Sequence, residues 1–109
     1  MKLFAALRTV REFERQQLPF LKCIDLDILI EIGYAEEQKQ PLTLKQLFLL
    51  NLGSLATIRR KLRKLEEQGM ATRRANADDR RSAILVLTST SLKVLGQYGR
   101  LLTRISVLG

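Results

Sequence analysis

Between Ser54 and Thr88 the chain reads SLATIRRKLRKLEEQGMATRRANADDRRSAILVLT. Nine Lys or Arg residues against four Asp or Glu fall within residues 59–81, beside an acidic stretch at 18–58 with three against five. Guanidinium and ammonium groups packed at this density hold phosphates, and arginine can also pair in bidentate fashion with a guanine edge. A charge excess confined to one local unit is the footprint of a polyanion-binding face. The chemistry on offer is therefore binding.

Other chemistries lack their reagents. The chain has no histidine and one cysteine, which removes Ser-His-Asp and Cys-His nucleophilic pairs, histidine metal ligands and any disulfide within the chain. No GxGxxG or P-loop pattern cradles a nucleotide, and two Tyr and four Phe are too few for a base-stacking RNA platform. No catalytic role, cofactor or metal is expected. Asp25 and Asp27 fall on different faces of a helix and are expected in solvent rather than as paired acids. Cys23 has only Lys22 beside it in sequence to favour a thiolate, so a packed thiol is expected.

The elements that carry the cations follow from punctuation. Ser54 can cap a helix in which Leu55, Ile58, Leu62 and Leu65 form the buried stripe, and Gly69 fits the left-handed position past its end. At 100° per residue that stripe leaves Ala56, Thr57, Arg60, Arg63 and Lys64 opposite, with Arg59 and Lys61 flanking. Upstream, Thr43 and Gln46 fit a capping box, starting a short helix with Leu44, Leu47 and Phe48 inward that ends near Asn51. Leu52-Gly53 supplies the turn, completing a helix-turn-helix. Residues 70–74 and 83–87 are expected as paired strands, joined by a loop from Ala75 to Ser82 too long for a tight turn. Arg73, Arg74, Arg80 and Arg81 decorate this wing, whose loop can reach a narrow minor groove. Asp79 has a role in pairing with Arg81 and fixing the loop.

A chain of 109 residues is most simply one domain. Hydrophobic residues at 46% exclude a disordered tail, and no apolar run approaches the ~20 residues of a membrane span. The N-terminal apolar run is broken by Arg8, Arg11 and Glu12, unlike a signal peptide, so a cytoplasmic location is the default. Residues 1–17 form a helix with Leu3, Leu7, Val10 and Phe13 on one side, ended at Leu18-Pro19. Cys23–Tyr34 alternates like a strand yet also aligns Ile24, Ile28, Leu29 and Ile32 on a helix; the AEEQKQ tail favours helix. Thr88 can cap a last helix from Ser89 to about Val107.

That last helix is too apolar for one buried stripe. Leu95, Tyr98, Leu102 and Ile105 make one seam, and Val94, Leu101 and Leu108 repeat every seven residues beside it. One seam can cover a core while the other, with Leu3 and Leu7 of the first helix, meets a second copy. A two-fold dimer would set two recognition helices about one DNA turn apart.

The run Thr57 to Arg73, TIRRKLRKLEEQGMATR, resembles the recognition helix and first wing strand of MarR-type winged-helix regulators. Asp79-Arg80-Arg81, followed after five residues by Leu87-Thr88, resembles that family's wing signature. The resemblance covers about residues 42–88. It implies a mainly α fold with a small β-wing, a helix-turn-helix plus wing flanked by terminal dimerisation helices at 1–17 and 89–109. It also implies Asp79 and Arg81 as the wing pair, Thr57 to Lys64 as the major-groove surface, and a small-molecule effector that biases DNA affinity. Some members use a cysteine near Cys23 for redox sensing. The chain departs from the family pattern at Arg59, where a small polar residue is usual, at Arg63, often acidic, and at Ser91, commonly glycine.

The expected function is sequence-specific binding of double-stranded DNA by a homodimeric transcriptional regulator, most simply a repressor that blocks promoter access. Ala56, Thr57 and Arg60 would approach base edges, Lys61, Arg63 and Lys64 would hold phosphates, and Ser54 and Arg59 complete the DNA-binding set on this helix. The alternative is a winged-helix protein-interaction module whose basic face meets an acidic protein.

Overall fold

The computed structural model describes residues 3–18, 23–78 and 82–108. The element order is α1 (Leu3–Gln17), α2 (Cys23–Glu37), α3 (Leu44–Leu49), α4 (Leu55–Glu67), β1 (Ala71–Ala75), β2 (Ala83–Leu87) and α5 (Ser89–Leu108). These elements form two compact units, Leu21–Ser91 and a second that joins Met1–Phe20 with Leu92–Gly109.

In the first unit, α2 resolves the strand-or-helix ambiguity. Asp25, Ile28, Leu29 and Ile32 are all buried, the i, i+3, i+4, i+7 spacing of one helical face. Helix α3 begins with the full capping box: Thr43 Oγ1 accepts the Gln46 N–H at 3.1 Å, and Gln46 Oε1 accepts the Thr43 N–H at 2.9 Å. The helix ends sooner than expected, at Leu49, and Asn51 takes a left-handed φ of 58°. Helix α4 buries Ile58, Leu62 and Leu65 and stops where Gly69 adopts φ +70°, a conformation glycine reaches without Cβ strain.

Two expectations fail on burial. Leu55 is 49% exposed, because periodicity gives a side chain's direction but not whether another element lies in front of it. Asp25, expected in solvent, is 1% exposed and faces Lys61.

Strands β1 and β2 pair antiparallel with Ala71 opposite Leu87 and Ala75 opposite Ala83, one residue later on β1 than expected. The sheet gains a short third edge at Leu42-Thr43. The Leu85 N–H donates to the Leu42 carbonyl at 2.8 Å, and Thr43 bridges Ile84. Glu36 on α2 accepts the Leu87 N–H at 2.8 Å, satisfying a strand-end donor that would otherwise be lost in a part-buried setting. Helix α2 comes close to β2 at Gly33, where a Cβ would sit 3.1 Å from Leu87 Cδ1. Thr88 links three features: its hydroxyl donates to the Gly69 carbonyl at 2.6 Å and accepts the Ser91 N–H at 3.2 Å, capping α5. Ser91 is fully buried, and its hydroxyl donates to the Thr88 carbonyl at 2.9 Å. That local bond offsets the cost of a hydroxyl where the resembling family commonly has glycine.

In the second unit, Phe13 of α1 stacks on Tyr98 of α5 with ring centroids 6.0 Å apart. Val10 is buried, whereas Phe4 at 80%, Leu92 at 52% and Leu102 at 43% exposure present apolar surface. The side chains of Leu3, Leu7, Cys23, Ile105 and Leu108, and the Leu18-Pro19 break beyond Leu18, lie outside the described residues. No helix among the described residues is long and apolar enough to cross a membrane.

Candidate nucleic-acid interface

The candidate recognition element is α4, and its entry is built by two hydroxyls. Ser54 Oγ accepts the Thr57 N–H at 3.2 Å and donates to Thr57 Oγ1 at 2.8 Å. The first bond caps a helix end that would leave amides unpaired. The second holds the Thr57 hydroxyl against the cap. Ala56 beside it is exposed, so this turn is sterically open.

Down the helix, Arg60, Arg63 and Lys64 are exposed, and no ion pair among the described residues engages them. Three cations without ion-pair partners among the described residues on one helical face concentrate positive charge there. Arg59 is exposed as well, with its guanidinium 5.5 Å from the Phe48 ring centroid. That cation–π contact ties α4 to α3 and restrains the side chain while keeping its charge.

Lys61, expected to hold a phosphate, has a carboxylate beside it within the lobe. Its Nζ lies 3.6 Å from Asp25 Oδ2, with side-chain exposures of 17% and 1%. Lys61 sits beside the Ile58–Leu62 stripe at the edge of α4, where its ammonium faces the buried carboxylate on α2.

In the wing, Arg73 is also committed inside the lobe. Its Nε donates to Glu66 Oε2 at 3.0 Å and its Nη2 to Glu66 Oε1 at 2.9 Å, a two-point clamp of β1 onto the end of α4. Arg73, expected among the groove contacts, is thus engaged within the lobe while its side chain stays 43% exposed. Arg74, one residue on, faces the other side of the strand and is exposed with no ion pair among the described residues. Asp79, Arg80 and Arg81 at the wing tip lie outside the described residues. Asp25, Glu36 and the Leu42-Thr43 edge carry no sequence signal of their own, since each acts on a partner distant along the chain.

No group of three His, Cys, Asp or Glu residues among the described residues could hold a metal ion.

The comparisons with known proteins fit this geometry. No family model matches the sequence, and no curated protein matches it. Solved structures do. A crystal structure of MarR superposes with a TM-score of 0.64 at 25% identity, covering 97% of this chain and 76% of that one. The chain has the MarR-type winged-helix fold. The MepR–DNA complex of S. aureus superposes on the same MarR-type frame with a TM-score of 0.73 at 19% identity, covering 92% of this chain and 78% of that one. A mutant MarR from E. coli complexed with operator DNA gives 0.65 at 19%, covering 91% and 69%. In MarR-type terms, α3 and α4 are the helix-turn-helix and β1–β2 the wing, so the expected fold class holds.

Proposed function

We propose that this chain is a sequence-specific, double-stranded-DNA-binding transcriptional regulator that acts as a homodimer and represses by occluding promoter DNA. The observation that carries this reading is the face of α4: Arg60, Arg63 and Lys64 exposed without ion-pair partners behind a turn where Ser54 orients Thr57. Two of the structures sharing the fold are complexes with DNA, one of them operator DNA.

On this reading the N-terminal half of α4 enters the major groove. Ser54, Ala56 and Thr57 meet base edges or a thymine methyl, and Arg60 pairs with guanine O6 and N7. Arg63 and Lys64 hold phosphates, Arg59 supports them, and Arg74 with the wing-tip residues Asp79, Arg80 and Arg81 serves the adjacent minor groove. Lys61 and Arg73 position these groups from behind.

The dimer reading is supported by the exposed apolar side chains of Phe4, Leu92 and Leu102 on the terminal helices. Val94, Leu95, Tyr98 and Leu101, with Leu3, Leu7, Ile105 and Leu108, would complete the seam. A small-molecule effector that shifts DNA affinity belongs to the same proposal.

Selection of bound sequences from a random duplex library tests it. A homodimeric reader enriches an inverted repeat with half-sites about one helical turn apart. Enrichment of no sequence would contradict the proposal.

A further inference from the structure

Leu55 opens α4 directly after the Ser54 cap, and it is 49% exposed. A single exposed leucine is ordinary on a protein surface; the place of this one is not. At 3.6 residues per turn, Leu55, Arg59, Arg63, Ala56 and Arg60 follow one another within an arc of about 140°, and all of them are exposed. The buried Ile58, Leu62 and Leu65 occupy the remaining side. Leu55 thus stands at the border of the core stripe and sets a large apolar side chain beside the cations, in the first turn of the helix.

Its neighbours leave it uncovered. Arg59, one turn further along α4, lies against the Phe48 ring of α3, its guanidinium 5.5 Å from the centroid. Both branches of Thr57 are taken up within the turn: its hydroxyl accepts from Ser54 Oγ at 2.8 Å, and a Cβ at Gly53 would lie 3.7 Å from its methyl. The apolar surface presented by the start of the helix is therefore that of Leu55 and Ala56. A phosphate oxygen gives an isobutyl group no favourable contact, whereas another apolar group does. In the major groove that group is the C5-methyl of a pyrimidine.

We propose that Leu55 is a specificity-determining residue that reads the C5-methyl group of a pyrimidine in the major groove. The inference rests on the reading of α4 as a groove-binding helix. It adds a contact that the arginines cannot supply: uracil and thymine, like cytosine and 5-methylcytosine, present the same hydrogen-bonding edge, and an apolar side chain tells them apart.

The test uses the full chain and the duplex selected from the random library, each thymine in turn replaced by deoxyuridine, with affinity read by competition. Loss of one buried methyl group predicts a weakening of about fourfold at one thymine position. Leu55→Ala, shown to be folded by circular dichroism, should abolish that difference and still bind the uracil duplex within about twofold of the parent chain. Leu55→Met, which keeps an apolar side chain of similar volume, should retain the difference. At the same position, a cytosine·guanine pair compared with its 5-methylcytosine form distinguishes the carriers. Recovery on methylation assigns the contact to the methyl of either pyrimidine, and no recovery confines it to thymine. A selected site without thymine, a uracil effect at no position, or an equal effect in the folded Leu55→Ala chain would each overturn the inference and leave the DNA-binding reading standing. Failure to select any sequence would overturn both.

Discussion

Lys61 Nζ stands 3.6 Å from Asp25 Oδ2, joining the recognition helix to the buried face of α2. A lysine that the sequence places at the edge of a cationic face thus works as an anchor behind it. Removing the ammonium takes one partner from a carboxylate that is 1% exposed, and losing one half of a buried pair typically costs several kcal/mol. Lys61→Met should lower the unfolding free energy by about 3 kcal/mol, whereas Lys64→Met on the exposed face should change it by no more than ~0.5 kcal/mol. Urea unfolding of the two variants measures the contrast. Equal, small effects would mean that the pair does not anchor the helix.

Arg60 and Lys64 are both exposed on α4 but are assigned different work. Arg60→Ala should cost about 1–3 kcal/mol on the preferred sequence and relax discrimination at one base position. Lys64→Ala should weaken all sequences alike and reduce the salt slope by about one. Competition binding with single-base variants of the selected site separates these outcomes. Equal, sequence-independent losses would remove the base-reading role of Arg60.

The neighbours Arg73 and Arg74 give a sharper contrast. Arg73 is clamped on Glu66, with side-chain exposures of 43% and 27%, and a pair this exposed contributes only ~0–1 kcal/mol to stability. Arg74 carries no such partner. Arg74→Ala should weaken DNA binding more than Arg73→Ala, and Glu66→Gln should leave DNA affinity within about twofold, the range of exposed substitutions. Fluorescence anisotropy on one duplex decides the order, and the reverse order would contradict the assignment of Arg73 to positioning.

The exposed Leu92 and Leu102 side chains of α5 are expected at the interface between copies. Leu102→Glu buries a charge without a partner at such an interface and should shift a dimer to monomer at micromolar concentration, read by sedimentation. An unchanged dimer would move the interface elsewhere, and a monomeric parent chain would remove the dimer from the account.

Much of this was legible from local patterns. The Thr43-Gln46 box, the Ser54 cap, Gly69 and the AILVL strand are short-range signals, and each defines an element boundary within a residue or two. The alternation in Cys23–Tyr34 could not by itself separate strand from helix; burial at Asp25, Ile28, Leu29 and Ile32 does so through tertiary contact. Leu55 was misassigned because a helical wheel contains no neighbours. The contacts of Asp25, Glu36 and the Leu42 carbonyl carry no local signal because their partners, Lys61, Leu87 and Leu85, are remote in sequence. A two-residue strand edge such as Leu42-Thr43 has no period to detect. Polar groups that close a core over long range are visible only once the chain has folded.

The salt dependence of binding to duplex DNA tests the central claim most directly. Neutralising phosphates releases counterions, so log affinity falls linearly with log salt at a slope of about −0.9 per phosphate contact. With Arg60, Arg63, Lys64 and Arg74 presented by each of two copies, a slope steeper than about −4 is predicted on random-sequence duplex. Absence of binding at low salt, or an affinity indifferent to salt, would contradict the assignment of the α4 face to DNA.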